Sequence, residues 1–97
     1  MSSGSQNLIP ADAITVETSH STYKLGPADT NGDRTVYKNG KPLSFVKGAG
    51  RIEIRRCRIL ALCKGEKMFL KLVEPKIARP WATSEVQSIA VDRVQGA

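Results

Sequence analysis

Apolar and polar residues alternate through Ile14-Thr-Val-Glu-Thr18, the period of a strand with one buried face. Pro10 before this run and Ser19-His-Ser-Thr22 after it are chain punctuation. Tyr23-Lys-Leu25 predicts a short second strand, closed by Gly26-Pro27. Residues 28–33 form a polar turn. The runs Thr35 to Lys38 and Lys41 to Phe45 then flank Asn39-Gly40. Asn-Gly is the preferred pair for a type I′ hairpin turn, because both central residues must take a positive φ. Pro42 removes one ladder donor, which places the return strand at a sheet edge or gives it an irregular start.

The longest regular stretch runs from Arg51 to Cys63. Ile52 and Ile54 share one face, but unbroken alternation would next put Arg56 and Arg58 on it. A bulge near Arg55-Arg56 instead turns Cys57, Ile59, Ala61 and Cys63 inward, and we favour that reading. Lys64-Gly-Glu-Lys67 is a tight polar turn into Met68-Phe-Leu-Lys-Leu-Val73, which predicts a second hairpin. Pro75 and Pro80 bracket an extended segment leading to Trp81. Ser84-Glu-Val-Gln87 fits a helix capping box, with Val86, Ile89, Ala90 and Val94 on one helical face. The Val and Ile content also suits a strand. The capping box tips residues 84–95 towards a short helix.

The pattern predicts an all-β or mainly β chain, a small five- or six-stranded barrel or sandwich with an SH3-like barrel among the candidates, and a short C-terminal helix. Residues 1–10 are expected to be a flexible N-terminal tail and 11–97 a single β domain. No repeat or boundary divides the chain, and 97 residues are too few for two ordinary domains.

Charge changes this picture most. Residues 1–43 carry four basic and four acidic side chains. Residues 44–81 carry ten basic ones (Lys47, Arg51, Arg55, Arg56, Arg58, Lys64, Lys67, Lys71, Lys76 and Arg79) against Glu53, Glu66 and Glu74. The whole net charge of +6 therefore arises in mid-chain. Guanidinium forks bind phosphate bidentately and stack on bases. Arg51, Arg55, Arg56 and Arg58, extended by Lys64, Lys67 and Lys71, form the expected phosphate-binding set. Tyr37 and Trp81 are the expected stacking residues, with Phe45 and Phe69 as further platforms. The bland account is a solvated strand face, in which Arg residues alternate with Glu53 and pair across strands.

Other candidate chemistry is thin. Asp29-Thr-Asn-Gly-Asp33 resembles the opening of a calcium loop, but Arg34 and Gly40 stand where that loop needs glycine and a carboxylate. An ordinary Asx-type turn accounts for it. Gly48-Ala-Gly50 precedes a strand and lacks the rest of a phosphate loop. His20, the one histidine, lies in a polar loop, and no enzyme activity is expected of it. Cys57 and Cys63, about 20 Å apart along an unbroken strand, cannot bond to each other. With His20 they fall short of a zinc set. We expect no metal and no cofactor. Trp81 reads first as a lid on the open end of a barrel, and second as a wall of a peptide or methyl-lysine pocket with Tyr23 or Tyr37.

The longest apolar run, Ile59 to Cys63, is far short of a membrane-spanning helix, and residues 1–7 lack a signal peptide's features. Two unpaired thiols fit a reducing, intracellular setting. The expectation is a non-catalytic module that binds DNA or RNA through a basic β surface. The alternatives are a protein-interaction module, taking a peptide, an edge strand or an acidic partner surface, and a homo-oligomeric structural subunit.

Overall fold

In the computed structural model, residues 12–92 are described, and they contain strands and turns without a helix. The 1–10 tail and Val94 fall outside them. Strand β1 (Ala13–Thr18) follows its alternating pattern, with Ile14 and Val16 buried. It pairs antiparallel with β2 (Thr22–Leu25), placing Tyr23 opposite Val16 and Leu25 opposite Ile14 on the same inner face. Strand β3 (Val36–Lys38) pairs with β2 and turns through Asn39 and Gly40, at φ 54° and 83°, into β4 (Lys41–Pro42). Both turn residues have the positive φ expected of the Asn-Gly pair. Pro42 lies on an edge strand, as its missing N–H requires.

After Leu43 dives into the core, β5 (Ser44–Lys47) and β6 (Gly50–Glu53) form a separate two-stranded ribbon. Phe45 and Ile52, paired across it, pack against the core. The Arg51–Cys63 run breaks where expected. Ile54 and Arg55 leave the strand, Ile54 is buried, and β7 (Arg56–Ala61) resumes with Cys57 inside. A second register shift, between Ile59 and Ala61, was not expected. It leaves Ala61 exposed and buries Leu62, so the inward set of the sequence reading holds only for Cys57 and Ile59.

Strand β8 (Lys67–Glu74) alternates strictly, with Met68, Leu70 and Leu72 buried and Lys67, Phe69 and Lys71 exposed. The expected C-terminal helix is replaced by β9 (Ile77–Asp92), which pairs with β8 in its first half and β1 in its second. Val16 faces Ile89, Thr18 faces Val86, and the Ser19 N–H donates to the Glu85 carbonyl. These ladder bonds, with β-branched side chains on a pleated surface, outweigh one local capping box. Between Ile77 and Trp81, β9 advances four residues while β8 advances two, and this slack accommodates Pro80.

The order β4-β3-β2-β1-β9-β8-β7 makes a seven-stranded antiparallel sheet. Among the described residues nine strands replace the expected five or six, and the sheet is not a closed barrel. Away from β9, its two ends are bridged where Arg34, just before β3, exchanges both backbone hydrogen bonds with Cys57 (2.7 and 2.8 Å). Leu43 and Ile54 fill the remaining gap, with the Ile54 N–H bonded to the Leu43 carbonyl. The Arg34 side chain is buried and donates to the carbonyls of Asp12 and Gly26; burial draws its pKa down, opposed by Asp12.

Both cysteines are free. Cys57 is fully buried, and burial pushes its thiol up to about 12. A thiolate-specific reagent at about pH 8 should therefore label the native chain at Cys63 alone and both thiols after denaturation. Native labelling of Cys57 would mean that the junction between Arg34 and β7 opens.

Candidate nucleic-acid interface

Alternation along β8 decides which side chains share its outer face. Because Met68, Leu70 and Leu72 turn inward, Lys67, Phe69 and Lys71 turn outward. In register, Arg58 of β7 stands opposite Lys71, and Ala61 opposite Phe69; on the other side Ala82 faces Phe69 and Glu85 faces Lys67. The small neighbours leave the Phe69 ring 39% exposed, with an ammonium two residues away in each direction. Arg58, Lys67 and Lys71 of the expected set thus come together here, and Lys64 lies in the adjoining turn.

Two of the expected phosphate binders are already engaged. The Arg56 guanidinium lies 3.0 Å from the Asp29 carboxylate and 3.8 Å from Glu74. Arg58 Nε donates to Asp33 Oδ1 at 2.8 Å. Like charges directly across a ladder repel, so Asp33 offsets the confrontation of Arg58 with Lys71. The carboxylates are held by a turn: Asp29 Oδ1 accepts the backbone N–H groups of Asn31 and Asp33, each at 2.9 Å. The Asp33 N–H bond is the largest of the causes that hold the Asp29 carboxyl below its ordinary 3.8, with Arg56 and Arg58 contributing. The calcium-like loop is thus an Asx turn whose carboxylates face arginines. These pairings span 27 and 25 residues and leave no local sign in the chain.

The other expected residues sit elsewhere. Arg51 donates to Ser44 Oγ (3.0 Å) on the ribbon. Arg55 makes no side-chain hydrogen bond or ion pair among the described residues. It lines a shallow groove of about 370 Å³ with Tyr37, Pro42, Glu53, Arg56 and Glu74. Tyr37 is exposed there, well away from Phe69 in the sheet order. Trp81 is not an open platform. It faces Leu70 on the inner side, tilts against Phe45 at a centroid distance of 5.9 Å, donates to the Tyr23 hydroxyl (3.4 Å), and carries the Lys38 ammonium 5.9 Å above its ring. Trp81 therefore packs on the inner side of the sheet, which is not the closed barrel that a lid would cover. No family model, curated protein or solved structure matches the chain.

His20 Nδ1 lies 2.7 Å from Ser84 Oγ, an exposed pair that sequence distance concealed. Among the described residues no carboxylate is bonded to that imidazole, and neither groove at the Arg55 end includes it. No helix among the described residues is long and apolar enough to cross a membrane.

Proposed function

We propose that this protein is a non-catalytic module that binds single-stranded nucleic acid, RNA or DNA, across the outer face of β7 and β8. The observation that carries the reading is the exposed Phe69 ring between Lys67 and Lys71. Sequence-tolerant binding of single strands combines aromatic faces for bases with cations that follow the backbone. Lys67 and Lys71 are about 13 Å apart along the strand, room for a base on Phe69 with a phosphate on either side. Arg58 and Lys64 extend the cationic track. Tyr37, Arg51 and Arg55 lie off this path, and Trp81 serves packing.

Three or four phosphate contacts to a single strand give a slope of roughly −2 to −3 in log affinity against log salt. Anisotropy titrations with oligo(U) and oligo(dT) should therefore show affinity falling at least about tenfold between roughly 50 and 200 mM salt. An affinity that barely moves over that range counts against the reading.

One observation favours a second reading, a protein-interaction module. Beyond Cys57, no strand among the described residues pairs with the outer edge of β7, and Leu60 there is 53% exposed. A partner's strand could add to that edge. Competition separates the two: a generic polyanion displaces a nucleic acid from β8 and leaves an added strand in place.

A further inference from the structure

Two guanidiniums of the proposed face, those of Arg56 and Arg58, point at carboxylates presented by one short turn. A carboxylate and a phosphodiester offer a guanidinium the same geometry, two oxygens sharing one negative charge. We infer that Asp29 and Asp33 occupy two phosphate subsites of this face, so that the 29–33 turn is an internal competitor of the nucleic acid. This rests on the reading of β7 and β8 as a nucleic-acid face and specifies how that face is regulated.

The geometry supports a competitor and not merely a fastening. Both arginines remain 40% and 45% exposed at the side chain, so an incoming phosphate can reach them. The turn is held by its own backbone: Asp29 N–H donates to the Asp33 carbonyl (2.8 Å) and Gly32 N–H to the Asp29 carbonyl (3.0 Å). Release of the arginines therefore does not require the turn to unravel. The Arg56–Asp29 pair, with Asp29 30% exposed, contributes little to stability; the Asp33 carboxylate is only 7% exposed, so freeing Arg58 costs more. With the carboxylates in place, Lys64, Lys67 and Lys71 make first contact. Arg56 and Arg58 join when phosphates displace Asp29 and Asp33.

The test is Asp29→Asn with Asp33→Asn, titrated with oligo(U) and oligo(dT) beside the wild type. Asparagine keeps an Oδ1 acceptor for the turn and removes the charge. The expected result is roughly 3- to 30-fold tighter binding. The salt slope should also steepen, by up to about 1.4 (two further phosphates on a single strand) to the extent that Asp29 and Asp33 keep their arginines in the wild-type complex. Wild-type binding that is unchanged or weakened in the variant overturns the competitor and leaves the nucleic-acid reading intact. Absence of binding by both proteins at low salt removes the reading itself. Because Asp33 is buried, Asp29→Asn alone is the second variant. Thermal melting verifies its fold, and about half of each effect is expected from it.

Discussion

Phe69→Ala is expected to weaken binding of oligo(U) and oligo(dT) by about ten- to a hundredfold, the loss of one base stacked on an aromatic ring. Salt dependence should hardly change, since no cation is removed. The fold should lose no more than about 1 kcal/mol, because the ring is 39% exposed and its cross-strand neighbours are alanines. Phe69→Trp should restore affinity, a result that a purely structural role for the ring would not produce. Equal affinity of Phe69→Ala and wild type would remove Phe69 as a platform and leave only charge to bind with.

One residue further along the same strand, on its inner face, the opposite expectation holds. Leu70→Ala should cost about 2–5 kcal/mol in urea unfolding, with little loss in m. Leu70 is fully buried on the central part of β8, between Ile59 of β7 and Trp81 of β9. Its removal opens a cavity under the indole that Phe45 and Tyr23 hold in place, leaving little freedom to collapse. For a domain of this size the melting temperature should drop by roughly 10–30 °C. Leu60→Ala, at an exposed position, should stay within about 0.5 kcal/mol. If Leu70→Ala were as mild, the inner face of the sheet would not be a packed core.

Local signals in the sequence identified the local structure. Alternation marked β1, Asn39-Gly40 marked its hairpin through a φ requirement, and the misfit of Arg55-Arg56 with an inner face marked the break before β7. The strict alternation from Lys67 to Leu72 also contained the grouping of Phe69 with two lysines. Long-range choices were not legible. Whether residues 84–92 become helix or strand depends on a partner some 70 residues earlier in β1, and its ladder overrides a capping box of three neighbours. The inward turn of Trp81 depends on the two extra residues that β9 inserts before it. The engagement of Arg56 and Arg58 depends on where a turn before β3 lands after the sheet has curled. A charge count along the chain treats these arginines as free, although folding brings two of the first half's four acidic residues against them.

Strand β9 is the seam between the two parts of the sheet: β1 to β4 lie on one side of it and β7 and β8 on the other. It also comes after all of them in sequence. During synthesis, a nascent chain must therefore hold two half-built sheets, each with an apolar face open to water, until the strand that joins them leaves the ribosome. Contacts as remote as Thr15 with Ala90 impose a large loop-closure cost before they contribute anything. Folding should consequently be late and all-or-none, with aggregation through the bare β1 and β8 edges as its main competitor.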